Sequence, residues 1–355
     1  MSPPTDSRSP GARLAASLAT VRGTWLPDDE TGSLARDAVA LATRDVPGGT
    51  GEVARRRRRA FHDELTRVAT ALDSRDGSIG PSAALVEVLS DPDLATESSA
   101  PSLVTLAGVT AVASLTTAFR ATYGDCPPAA EDGVADALSA VAADDSAAAL
   151  DRAAAAGEAL AAVTPLTGRV DRLVDAARSR LPTDADPTPF DDAVRDALVS
   201  GDEARLDRLE RRVEAAEDAA WSRADLLAPT PDAFEGLVAD LWRDAAETET
   251  ASRTRRSGDG GVDVVVRFDR GGVAVIQVKQ FAPDNPVGRP TIQQLEGAVS
   301  QFDAAAGYVV SSSGFTGPAR AAAEALDAMT LVDGGTLRDL LDASRLVPPR
   351  ALHPE

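Results

Sequence analysis

An all-α region over residues 1–226, an α/β domain with a mixed central sheet over 229–345 and a tail at 346–355 make up the architecture that the sequence predicts. Up to about residue 226, segments rich in alanine, leucine, arginine and glutamate follow one another without β-branched alternation, as helices do. Proline and glycine clusters ("DVPGGTGE", "GSIGPS", "GDCPPAAEDG", "LPTDADPTP") separate them. Beyond 229, β-rich runs alternate with helical stretches, which implies a sheet with helices packed on it. At 355 residues the chain is long enough for a hydrophobic core in each part.

In the first part, Arg55 to Arg59 open a helix that continues "AFHDELTRVATAL". Consecutive residues wrap around a helix rather than line one face, so the run reads as a solvated surface in preference to a phosphate-binding strip. His62, just beyond it, reads as structural. Residues 102–119, "SLVTLAGVTAVASLTTAF", are uncharged and long enough to span a membrane. Their serine, threonine, alanine and glycine content predicts a buried helix instead, and no membrane partner is expected. Residues 198–221 space Leu206, Leu209 and Val213 at helical intervals among opposite charges. That predicts a long amphipathic helix or short coiled coil, connecting to the next domain over about 198–226.

In the second part, a proline-containing break with Asp232 as the expected cap opens a helix whose Phe234, Leu237, Val238 and Leu241 share an apolar face. "VDVVVRF" and "VAVIQVKQF", separated by "DRGG", read as a hairpin. A helix over about 290–306, a strand "GYVVSSS", a helix from about 318, a short "MTLVD" segment and a final helix "GTLRDLLDA" follow.

The chain sets 56 acidic residues against 36 basic ones, a net charge of -20. A surface this acidic stays soluble by self-repulsion, a halophilic device. In the salt of such a cell the Debye length falls to about 3 Å at 1 M, so the acidity does not exclude a nucleic-acid substrate. The single cysteine, Cys126, rules out an internal disulfide framework, and His62 and His353 are too few for a zinc site. A metal here would be held by oxygen ligands, which points to magnesium or manganese. The N-terminal "MSPPTDSRSPGARLAASL" lacks the apolar core of a signal peptide, and a cytoplasmic location is expected.

Lys279, in "VIQVKQ", is the only lysine; every other basic residue is arginine. Residues two apart on a strand point to one face, so Gln277 and Lys279 project together from the end of the second hairpin strand. "SGDGGVDVVV" supplies Asp263 where the preceding strand leaves a glycine-rich bend, and the helix before it offers Glu235. Two carboxylates, a carboxamide and an ammonium group meeting at a sheet edge suit a divalent cation, an oriented water and the charge that develops on a phosphate. Lysine is a compact charge that exchanges its proton, whereas arginine is a planar fork that keeps it.

The blocks "FEGLVADLW", "SGDGGVDVVV", "VIQVKQF", "GAVSQFDAAAGYVVSSSGFTGPA" and "LVDGGTLRDLL" resemble, in order and spacing, the catalytic domain of Mrr-type restriction endonucleases. These are a branch of the PD-(D/E)XK nuclease superfamily in which glutamine commonly stands at the acidic position before X-Lys. The resemblance covers the C-terminal third. It implies a restriction-endonuclease-like α/β fold with Asp263 as central metal ligand, Gln277 as the ligand at the variable acidic position and Lys279 as the catalytic lysine. Glu235 would be a further metal- or water-positioning acid. The implied reaction is Mg²⁺-dependent hydrolysis of DNA phosphodiesters, with Mn²⁺ as a substitute, in the restriction of foreign or modified DNA. Two alternatives stay open: a noncatalytic DNA-binding or helical scaffold protein carrying this fold, and a repair or junction nuclease.

Pairing Phe268 directly with Val273 would set Asp263 opposite Val278 and turn its carboxylate away from Lys279. A bulge in the Gly271-Gly272 turn, or a bend near Gly260-Gly261, would correct this, and such a distortion is predicted. Asp259 reads as a turn former, Gln280 as lying on the outer strand face, and Ser312 and Thr316 as capping residues. Residues 251–289 carry seven basic residues against four aspartates. Within that local excess, Arg253, Arg255, Arg256 and Arg289 are the candidate phosphate contacts to double-stranded DNA. An internal salt-bridge network is the rival use for them. Two strands to cut suggest a homodimer.

Overall fold

The computed structural model describes residues 8–21, 25–46, 48–74, 82–95, 100–254 and 261–354. Its contacts divide the chain into two units: Met1–Arg172 with Val194–Leu206, and Leu173–Ala193 with Asp207–Glu355.

The first unit is helical, as predicted: α1 (Pro10–Val21), α2 (Glu30–Ala42), α3 (Glu52–Asp73), α4 (Ser82–Leu89), α5 (Ala100–Tyr123) and α6 (Pro128–Ala142). Next come α7 (Ser146–Arg178), α8 (Thr188–Ser200) and α9 (Glu203–Ala216), whose residues are shared between the two units. Helix α5 contains the uncharged run and is long and apolar enough to cross a membrane, yet 83% of that window is buried inside the structure. Three of its buried hydroxyls bond within the helix. Thr110, Ser114 and Thr116 donate to the carbonyls four residues back at 2.7, 2.8 and 2.9 Å. The arginine run in α3 wraps the helix: Arg58 is buried and donates to the Gly49 carbonyl at 2.6 Å, while Arg55, Arg56, Arg57 and Arg59 are exposed. His62 is buried beside Phe61 and Leu65.

The long helix expected over 198–221 is instead α8 and α9. Gly201 breaks it with a left-handed φ of 67°, and Asp202 accepts from the Arg205 N–H at 2.8 Å to start the next helix.

The second unit adds α10 (Arg223–Leu227), α11 (Pro231–Asp244), β1 (Thr248–Arg253), β2 (Val264–Phe268), β3 (Val273–Lys279), α12 (Arg289–Gln301), β4 (Ala306–Ser311), α13 (Gly317–Glu324), β5 (Met329–Val332) and α14 (Gly334–Asp342). The sheet runs β1-β2-β3-β4-β5, antiparallel up to β3 and parallel from β3 onward, which is the mixed sheet the sequence predicts. Strand β1, "TETASR", is an addition to the predicted elements: it buries only Ala251, so it carries no hydrophobic alternation to read. One face of the sheet, through Val264, Ile276, Val278 and Val310, packs on α11 and α14. The other, through Val275 and Val309, packs on α12 and α13.

Helix α11 buries Phe234, Leu237, Val238 and Leu241 as expected, but its cap is Thr230, which accepts from Ala233 at 3.2 Å, with Pro231 in the first turn. Asp232 lies inside that turn. The compositional boundary at 226–229 falls within this unit because buried polar tethers bind earlier segments to it. Asp240 accepts from the Thr183 amide at 2.6 Å and hydroxyl at 2.8 Å, and the Trp221 backbone N–H donates to Asp342 at 2.6 Å. The tail joins too, with Leu352 buried.

Helix α14 opens on Asp333, which accepts from the Thr336 and Gly335 amides at 3.0 and 3.2 Å. Those bonds, the Thr336 backbone first, lower its pKa below the ordinary value despite partial burial. A lowered folded-state pKa means the stabilisation is complete above the unfolded value of about 3.9 and is lost as pH falls through the folded one. Asp333→Ala is expected to lower stability by about 1 kcal/mol near neutrality, measured by denaturant unfolding, with the gap to wild type narrowing in acid below the ordinary carboxylate range.

Candidate active site

The β2–β3 turn sets the site. Gly271 N–H donates to the Phe268 carbonyl at 2.8 Å, Gly271 takes a left-handed φ of 84°, and Phe268 N–H donates to the Gly272 carbonyl at 3.3 Å. Phe268 is therefore opposite Gly272, not Val273, and the ladder runs Arg267↔Val273 to Val264↔Ile276. The extra glycine is the bulge that the side-chain directions required, and it moves Asp263 from opposite Val278 to the row of Gln277.

A second distortion follows at Asp263. Val262 belongs to the core on the α12 side and Val264 to the core on the α11 side, although residues two apart on a regular strand share a face. The chain turns there: Gly261 has a φ of 87°, Asp263 N–H donates to the Ile276 carbonyl at 2.8 Å, and Thr254 N–H donates to the Asp263 carbonyl at 2.9 Å. Thr254 also donates its hydroxyl to Val262 at 2.5 Å, a support that no pattern in the sequence marks.

The Asp263 carboxylate, through Oδ2, accepts from the backbone N–H of Val278 at 2.7 Å. Val278 is the residue between Gln277 and Lys279, so the carboxylate is fastened to the strand between the two. Gln277 and Lys279 follow Val275 onto the α12 side of the sheet. Gln277 is 2% exposed; its Nε2 donates to Gln294 on α12 at 3.4 Å, and its Oε1 is buried with no hydrogen-bond partner among the described residues. Lys279, at the strand end, is half-buried.

Glu235 arises from the other layer. It is half-buried on α11, whose apolar face covers the opposite side of the sheet. Gln280 is not on an outer face as expected: it is half-buried and donates Nε2 to the Leu226 and Pro229 carbonyls, both at 2.9 Å. It thus ties the end of β3 to the segment leading into α11. Ser312 does not cap a helix but brackets Phe281, accepting from its N–H at 2.8 Å and donating to its carbonyl at 2.9 Å. Thr316 does cap α13, accepting from Ala319 at 3.3 Å.

Of the candidate phosphate contacts, Arg253 pairs with Asp184 at 2.9 Å and with Asp232 at 3.6 Å, and donates to the Asp232 carbonyl at 3.0 Å. Arg289 is exposed in the first turn of α12. Arg255, Arg256 and Asp259 lie outside the described residues. A basic concavity that the sequence reading missed is lined by Arg208, Arg211, Arg212 and Arg350, with a volume of about 480 Å³. The helical spacing of the first three was the available signal; it was hidden among the acids of the same helix.

Among the described residues no group of three or more His, Cys, Asp or Glu side chains could hold a metal. The Asp263 carboxylate, bonded to the Val278 amide, and the partnerless carboxamide oxygen of Gln277, the residue before Val278, are hard oxygen ligands. A buried acceptor without a donor is costly as it stands and is relieved by a cation, so the set fits magnesium or manganese.

Residues 226–341 match the Mrr catalytic-domain family, described as a restriction endonuclease. The chain is 33% identical over 140 residues to the type IV methyl-directed restriction enzyme EcoKMrr of Escherichia coli (strain K12), a stretch covering 38% of this chain and 46% of that protein. The DNA modification-dependent restriction endonuclease AspBHI is a solved structure similar over 38% of this chain and 41% of its own, at 18% identity and a TM-score of 0.29. The chain thus spans less than half the length of either relative.

Because the turn fixes the register, Gly271→Val should destabilise the protein by about 1–2 kcal/mol, and Gly271→Asn by clearly less, in denaturant unfolding. Equal tolerance of the two would mean that the left-handed turn does not hold the hairpin.

Proposed function

We propose that the protein is a divalent-cation-dependent endodeoxyribonuclease of the type IV restriction kind, hydrolysing phosphodiester bonds in foreign or modified double-stranded DNA. The observation that carries this reading is the Asp263 carboxylate fastened to the backbone between Gln277 and Lys279, inside a domain that matches restriction endonucleases.

Asp263 and the Gln277 carboxamide oxygen would hold a magnesium or manganese ion. The ion, when bound, supplies Lewis-acid neutralisation of charge on the phosphate. Lys279 holds its ammonium group beside the scissile phosphate, orients the attacking water and offsets the negative charge that builds in the transition state. An arginine fork in that place is bulkier, spreads its charge and does not exchange its proton, which accounts for the one lysine in the chain.

Phosphate contacts outside the reacting centre fall to Arg289, Arg208 and Arg211, while Arg253 and Arg350, paired with Asp184 and Asp225, serve as internal ties. By analogy with restriction systems, the helical unit would recognise the DNA modification or assemble the enzyme, and a homodimer would cut both strands.

Plasmid cleavage at high KCl with Mg²⁺, on methylated and unmethylated DNA, tests the reading. Lys279→Ala and Lys279→Arg should each lose about 10² or more in rate while keeping fold and DNA affinity. Cleavage equal to wild type in both variants would contradict it. Arg208→Glu combined with Arg211→Glu should weaken DNA binding and shrink the slope of log affinity against log salt by about 2.

A further inference from the structure

A neutral amide at a metal-binding position poses a problem that a carboxylate does not. Glutamate offers an oxygen whichever way its end group is turned. Glutamine offers an oxygen in one orientation and an NH₂ in the other, and an NH₂ repels a cation. Some neighbour must select the orientation.

Gln277 has such a neighbour. Its Nε2 donates to Gln294 Oε1 at 3.4 Å, which turns the carboxamide so that Oε1 is the end left buried without a partner among the described residues. Gln294 reaches it from α12, where its helix neighbours Ile292 and Leu295 are buried in the core and Gln294 itself is exposed. Gly261 lies over both amides. A Cβ there would stand 2.3 Å from Gln294 Nε2 and 2.9 Å from Gln277 Nε2, so the bend that redirects Asp263 also packs against the amide pair. The nitrogen end of Gln277 is thereby engaged by acceptor and packing, and the oxygen end is the one available as a ligand.

We infer that Gln294 is a positioning residue that fixes the Gln277 carboxamide with its oxygen toward the cation, the role that replaces the missing charge at this position. This role rests on the metal-binding reading of Asp263 and Gln277. It carries a distinctive consequence: Gln294 should matter only while residue 277 is an amide.

The test is equilibrium binding of Mn²⁺ to the full chain without DNA, by titration calorimetry or electron paramagnetic resonance. Gln294→Leu, which removes the acceptor at an exposed position, should weaken Mn²⁺ about threefold to tenfold, the effect of losing one neutral hydrogen bond. In the Gln277→Glu background, the same Gln294→Leu change should leave affinity within about twofold, because either carboxylate oxygen serves. Gln294→Glu, an obligate acceptor, should retain or strengthen binding. A loss of equal size in both backgrounds, or no loss in either, overturns the inference, and unfolding midpoints of the variants check that the fold is kept. Asp263→Ala is the control for the underlying reading. If wild type binds no Mn²⁺, or Asp263→Ala binds it unchanged, the metal site itself falls and this role falls with it.

Discussion

The hydrogen bond from the Val278 amide to the Asp263 carboxylate is the contact on which the rest of the site depends. It puts an acid between two residues of the neighbouring strand that share one face, and it forms only if the hairpin is in one particular register. That register comes from the turn between the strands, where the left-handed Gly271 shifts the pairing by one residue. A slip of one residue would send every side chain of β2 to the other face, and Asp263 with them. A hydrogen bond to a charged acceptor is worth about 1.5–3 kcal/mol, enough to reinforce the register it needs.

The end of β3 is held from several directions. Gln280 fastens it to the carbonyls before α11, Ser312 brackets Phe281, and Thr254 supports the turn of β2 at Val262. Gly334 adds a constraint from the far side: a Cβ there would lie 2.3 Å from the Ser312 carbonyl oxygen, so only glycine lets α14 begin so close to β4. These residues are tethers: the proposed reaction would need its donors fixed to within a fraction of an ångström, and such contacts fix them.

Much of this is legible in the sequence, for identifiable reasons. The hairpin, the mixed sheet and the shared face of Gln277 and Lys279 follow from hydrophobic alternation, which the buried strands preserve. The need for a distortion near Asp263 follows from side-chain parity alone. What escapes lacks a local pattern. Strand β1 buries one residue, the tethers Asp240–Thr183 and Gln280–Pro229 join positions far apart in sequence, and Gly201 divides a continuous run of helix-forming residues. Arg253 reads in sequence as a phosphate contact because its partners, Asp184 and Asp232, come together with it only in the fold.

Salt screens the global charge of the chain beyond a Debye length, so its acidity does not exclude the proposed DNA substrate. The central claim is narrower: Asp263 and Gln277 form an oxygen site beside Lys279. Anomalous diffraction from crystals of the full chain soaked in Mn²⁺ tests it most directly. A single strong peak within coordination distance of an Asp263 carboxylate oxygen and Gln277 Oε1 is the result expected, and manganese bound elsewhere with both residues uncoordinated would contradict the account.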